Sequence, residues 1–122
     1  MKALSVRQPW VHQIAIGAKT YEVRSRPCKY RGPLVLVASV AVSKHPAAAG
    51  IEMSEHRGQA VCVVDLVDCI EGHPGLASGA LIDPTGQWCW VMRNPRPVEP
   101  LPIKGQLALW RLPDDTVRRL GL

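Results

Sequence analysis

Lys19, Glu22 and Arg24 bring an ammonium, a carboxylate and a guanidinium together in the stretch Gly17-Ala18-Lys19-Thr20-Tyr21-Glu22-Val23-Arg24. A lysine beside a carboxylate can position a substrate, donate a proton or, once desolvated, accept one. A guanidinium holds a phosphate or carboxylate through two parallel hydrogen bonds. The glutamate can accept from an amino group of a base or orient the two cations. Thr20 is a candidate weak nucleophile, although no Ser-His-Asp set accompanies it. The plainer account of the same residues is an edge strand whose charges discourage aggregation.

These groups act together only if the chain aims them at one place. If Thr20 to Ser25 is extended, Thr20, Glu22 and Arg24 share one face, Tyr21 and Val23 take the other, and Lys19 leans over from the preceding turn. Ahead of that strand, Lys2 to Val6 reads as a first strand. Pro9 to Ile16 reads as a short helix, with Pro9 in its first turn and Gly17 as its stop. Trp10, Val11, Ile14 and Ala15 form the helix's apolar stripe. Trp10 is therefore either core or a stacking platform for a nucleobase. Arg7 and Gln8, just before the helix, offer donors and acceptors suited to a base edge.

The run Leu4-Ser5-Val6-Arg7-Gln8-Pro9-Trp10, the pattern GxKxxExR at Gly17, Lys19, Glu22 and Arg24, the tetrapeptide Tyr30-Arg31-Gly32-Pro33 and an apolar strand ending Val37-Ala38-Ser39 occur in that order. Together they resemble the ASCH domain of the PUA-like superfamily. The resemblance resumes at Trp90-Val91 and at Gly105-Gln106 to Leu109-Trp110, so it covers nearly the whole chain. It implies an α+β fold, a small PUA-like mixed β-barrel with two or three short helices, formed by residues 1–122 as a single ASCH domain. It also implies a cleft lined by the Lys-Glu-Arg motif, in a family linked to RNA and nucleotides. Arg7, Gln8, Trp10, Thr20, Arg24, Arg26 and Ser39 are then the candidate ligand contacts. Lys19 and Glu22 are the candidate catalytic groups if the domain is an enzyme.

Some ASCH members resemble amidohydrolases that remove an acetyl group from N4-acetylcytidine with a lysine, a threonine and a downstream glutamate. Lys19 fits that lysine, but Glu22 stands where the threonine is expected, and Asp65 and Asp68 are only loose candidates for the downstream acid. Other members are described as ribonucleases or RNA-binding regulatory modules. The first expectation is a module binding RNA or a nucleotide or modified nucleoside, the second a hydrolase on such a substrate, the third a protein-interaction barrel. No cofactor is expected, and the oligomeric state stays open.

Composition sets the bounds. A chain of 122 residues, 47% hydrophobic, is long enough for one core and short for two domains. Its net charge is +5. Residues 1–31 hold Lys2, Arg7, Lys19, Arg24, Arg26, Lys29 and Arg31 against Glu22 alone, seven minus one, so the excess sits with the motif and favours an anionic partner. Cys28, Cys62, Cys69 and Cys89 form no CxxC pair and no signal peptide precedes them, which reads as a reducing cytoplasm rather than a disulfide framework. His12, His45, His56 and His73 lack ligand spacing, so no metal site is expected. No apolar run approaches the ~20 residues of a membrane span.

The remaining expectations are coarse. Pro33 to Val42 reads as a strand buried on both faces; His45 to Glu55 as a helix or excursion; Gly58 to Glu71 as a long strand, bulged if Asp65 and Asp68 are to share a face. Gly72 to Gly86 reads as a surface loop and Gln87 to Arg93 as a strand with Trp88 and Trp90 on one face. Pro95 to Pro102 reads as an extended, poorly paired connection. Gln106 to Leu112 reads as a last strand, and a terminal helix capped by Asp114 or Asp115 runs to Leu120. Trp88, Trp90 and Trp110 are assigned to the core.

Overall fold

The computed structural model describes residues 1–122. In chain order the elements are β1 (Lys2–Val6), α1 (Trp10–Ala15), β2 (Tyr21–Arg24), β3 (Gly32–Ala38), β4 (Ala60–Glu71), α2 (Ala77–Ala80), β5 (Trp88–Pro97), β6 (Trp110–Arg111) and α3 (Asp114–Arg119). The strands form one sheet in the order β2-β5-β4-β3-β1-β6, curled into a half-barrel. β1 and β3 are parallel, and the other neighbours are antiparallel.

The apolar run of β3 explains the layering. Leu34, Leu36 and Ala38 point to one face, where they join Leu4, Val6, Cys62, Val64, Leu66, Trp90 and Met92 under Val11 and Ile14 of α1. Val35 and Val37 point to the other, against Ala3, Ala60, Val63, Trp110, Leu112 and Leu120, which the C-terminal segment and α3 cover. A strand with period-two side chains can be apolar throughout only when both faces are covered, as here. Each fully buried Val, Leu or Ile among them contributes about 1.5–3 kcal/mol of transfer free energy.

Several boundaries depart from expectation for local reasons. β3 ends at Ala38, and His45 to Glu55 forms no α-helix, only a 3₁₀ turn at Pro46–Ala48. β5 runs on to Pro97, because Asn94 (φ 54°) and Pro95 sit in a break of register between the pairs Asp65/Arg93 and Val63/Arg96, where a missing N–H costs no ladder bond. A second break between Leu66 and Asp68 supplies the bulge that the two aspartates required. The last strand shrinks to Trp110–Arg111, paired with Ala3 and Lys2. Pro113 rather than an aspartate occupies the N-cap of α3, and Asp114 and Asp115 lie in its first turn, at the positive end of the helix dipole. No helix is long and apolar enough to cross a membrane. The Gln8–Pro9 peptide is cis, and Cys28 and Cys69 are free thiols with sulfurs 3.6 Å apart.

Candidate functional site

Lys19 is placed by the turn that links α1 to β2. Gly17 takes the left-handed conformation (φ 84°) that ends the helix, and the amide of Lys19 donates to the Gln13 carbonyl at 3.0 Å. The side chain that follows is only 2% exposed. Its Nζ donates to the Ala80 carbonyl and lies 5.0 Å from the centre of the Trp10 ring. No carboxylate stands within 4 Å of it. Burial therefore pushes the lysine below its ordinary value of 10.5, and the more distant charges of Glu22 and Cys89 offset this only in part.

Ala80 belongs to α2, in the stretch expected to be a surface loop. α2 packs directly on the start of β2: the Thr20 amide donates to the Gly79 carbonyl at 2.8 Å. A Cβ at Gly79 would come within 2.7 Å of the Tyr21 ring and 2.8 Å of the Thr20 hydroxyl. Only glycine permits that approach, and the approach is what sets the next carbonyl on the lysine.

Glu22 and Arg24 share a face, as alternation requires, and that face is the one covered by α1. Cross-strand register sets Glu22 opposite Trp90 and Arg24 opposite Trp88, so Trp90 is the diagonal neighbour of Arg24 and its ring lies 5.9 Å below the guanidinium. Arg24 donates from Nε at 3.0 Å and from Nη2 at 2.8 Å to the same glutamate oxygen, Oε2. Nη2 also donates to the Ser5 carbonyl at 2.8 Å. β6 pairs only with Lys2 and Ala3, which leaves that carbonyl of β1 open to the arginine. Arg24 thus joins the free edge of β2 to β1 across the open side of the half-barrel. Glu22 is 6% exposed, and its second oxygen has no partner within the protein.

The result is a cleft of about 440 Å³ with Lys19, Glu22 and Arg24 at its base, Trp10 and Arg7 on one side, and Ser39, Ser43, Ile82 and the segment 106–108 on the others. Arg7 is exposed and its side chain makes no hydrogen bond or ion pair. The site therefore holds one engaged carboxylate and three cations, two with unused donors facing inward and one free at the rim.

Residues 4–102 match the sequence model of the family described as ASCH domain. The chain belongs to the ASCH domain family. No curated protein matches it. Among solved structures, ASCH from Zymomonas mobilis is similar with a TM-score of 0.68 at 14% identity, over 98% of this chain and 92% of that one. A tyrosine-to-phenylalanine mutant of the Zymomonas mobilis protein gives 0.65 at 14% identity, over 98% and 95%. A serine-to-alanine mutant gives 0.64 at 14% identity, over 98% and 93%. These likenesses show the PUA-like fold.

In this ASCH domain, Arg7, Trp10, Lys19, Glu22, Arg24 and Ser39 converge on the cleft, while three other candidates do not. Gln8 is fully buried, and its amide donates to Ser54 Oγ at 2.7 Å while its Oε1 accepts from the His12 amide at 3.3 Å. It anchors the 52–56 segment rather than reading a base. Thr20 turns its hydroxyl toward Gly79 and does not line the cleft. Arg26 is exposed outside it and contributes its carbonyl to Trp90 Nε1 at 2.8 Å. Trp10 is packed in part against the core and also lines the cleft.

Asp65 is held by Arg96 at 3.0 Å and Asp68 lies 3.7 Å from Arg31; neither lines the cleft. The positive segment 1–31 is not one face: Arg7, Lys19 and Arg24 line the cleft, Arg31 is paired with Asp68, and Lys2 lies opposite Arg111 on β6. Sequence reasoning missed Trp90 as the support of Arg24, Ala80 as the acceptor for Lys19, and the 106–108 wall. The glycine of α2 was the one local signal pointing to the second of these.

Proposed function

We propose that this ASCH domain, acting as a single unit over residues 1–122, binds RNA or a nucleotide or modified nucleoside in the cleft. The observation that carries the reading is Lys19: a buried ammonium with one carbonyl partner and no counter-ion within 4 Å, on the floor of an open cleft. A cation in that position is desolvated without being neutralised, and a ligand oxygen supplies what the protein does not. Arg24, with Nη1 unused, takes a second ligand oxygen, the free oxygen of Glu22 accepts from an exocyclic amino group, and Arg7 meets phosphate at the rim. The site needs no cofactor for this. The test is a thermal-shift and calorimetric screen of nucleosides, modified nucleosides, nucleotides and short RNAs on the wild type and Lys19→Met. A ligand that binds the native state raises its apparent stability. Binding by the wild type that survives unchanged in Lys19→Met overturns the assignment.

The lowered pKa of Lys19 favours a second reading, a hydrolase in which the neutral amine abstracts a proton. Against it, Thr20 faces α2, Glu22 is held by Arg24, and no acid from β4 reaches the cleft. Release of acetate from N4-acetylcytidine, or cleavage of RNA, by the purified wild type and its loss in Lys19→Met would establish this reading. Binding without turnover sinks it.

A further inference from the structure

Beside the cleft lies a second, larger cavity of about 760 Å³, roofed by residues 102–107 and floored by the end of β3 and its continuation through Val40. The two cavities share Ser5, Ser39, Gln106 and Leu107, so they adjoin one another. Their characters differ. The cleft carries Lys19, Glu22 and Arg24, whereas the groove has Lys104 as its only charged residue. Val40 and Leu107 border the groove at 80% and 95% exposure, and Val40 belongs to neither core cluster. Between the two compartments stands Ser5. Its carbonyl faces the cleft and is bound by Arg24, while its Oγ is buried without any partner. That hydroxyl lies 2.5 Å from where a Cβ on Gly105 would be. The roof therefore closes over an unsatisfied hydroxyl, at a cost in free energy.

We infer that the groove is the subsite for a second nucleotide of the same RNA strand whose first nucleotide occupies the cleft. The inference rests on the reading of the cleft given above and narrows it from nucleoside to strand. Each compartment falls within the size range, about 300–1,000 Å³, that houses one small-molecule unit. The order of chemistry along the path matches a dinucleotide. A charged pocket takes the polar edge of one base, a waist bearing Ser39 and Gln106, which line both compartments, meets the sugar-phosphate link, and an apolar groove takes the face of the next base. Lys104 then lies by the following phosphate. Leu107, which lines both compartments, lies between the two bases.

The test compares the four ribonucleoside monophosphates with diribonucleotides and tetraribonucleotides by calorimetry, on the wild type and on Val40→Asp. Val40 lines the groove and not the cleft, and at 80% exposure its replacement leaves the fold intact. The best dinucleotide is expected to bind the wild type about tenfold tighter than the best mononucleotide, because the second base buries apolar surface in the groove. Val40→Asp is expected to remove that gain and leave the mononucleotide affinity within twofold. Dinucleotides no tighter than mononucleotides, or a gain that persists in Val40→Asp, overturn the subsite while leaving the cleft reading in place. Absence of binding by ribonucleotides of every length overturns both.

Discussion

On the C-terminal face of the sheet, Val35, Val37, Ala60, Val63, Trp110, Leu112 and Leu120 meet with no buried charged or polar side chain among them. On the opposite face, the apolar cluster under α1 gives way at its margin to Gln8, Gln13, Lys19 and Glu22, all four of the molecule's buried polar and charged residues. The same strands supply both. One face does nothing but exclude water, and its stability scales with area. The other gives up part of that stability to keep an ammonium and a carboxylate where a ligand can reach them, a pattern expected where function competes with packing.

If that division is correct, the largest stability effect belongs to the face without the cleft. Trp110→Ala is expected to lower unfolding free energy by about 3–5 kcal/mol in a denaturant titration, with ligand affinity of the folded protein unchanged. A loss of affinity there would mean the faces are coupled. Glu22→Ala comes next: it leaves Arg24 without its acidic partner on the α1 face, and since that arginine is about a third exposed the cost is held to about 2 kcal/mol. Glu22→Gln is expected to recover part of it. Gln8→Ala, which strands Ser54 Oγ and the His12 amide, is expected to cost about 1–2 kcal/mol and to leave affinity within a few-fold. An affinity loss of tenfold would restore Gln8 as a ligand contact.

Lys19→Met is expected to move stability least, within about 1 kcal/mol at neutral pH, because the cost of burying an ammonium offsets the bond it makes to Ala80. Its signature is in the pH dependence. A lysine lowered in the folded state binds fewer protons folded than unfolded between its lowered value and 10.5, so its contribution to stability rises with pH through that window. The raised thiols of Cys62, pushed up to about 12, and Cys28, to about 11, act in the opposite direction but are common to both proteins. The difference between wild type and Lys19→Met should therefore shift toward the wild type as pH rises from 7 to 10.5. A flat difference would mean the ammonium is solvated.

How far the sequence discloses these two faces depends on the reach of the signal involved. The alternation of Glu22 and Arg24, the glycine stop at Gly17 and the two-faced apolar run of β3 are carried by neighbours in the chain, and all three stand in the structure. α2 is four residues long, too short to show a helical period, so its place beneath Lys19 was invisible. Trp90 joins the site only through the register of β2 on β5, and register is a tertiary fact. Gln8 looked like a reader of bases because its amide is chemically suited to that. Its burial depends on Ser54 and His56, more than forty residues away. Pro95 looked like a strand breaker, and a bulge absorbed it.

The contact between Arg24 and the Ser5 carbonyl bears on how a polymer gets in. Where a barrel is closed by a backbone ladder, a chain reaches the interior only by threading an end. Here one guanidinium spans the open side, so opening it would break a single bond rather than a row of them. On the reading proposed above, a strand could be laid in sideways, and a stretch with no free terminus, in the middle of a long RNA or in a covalently closed circle, would be as accessible as one at an end.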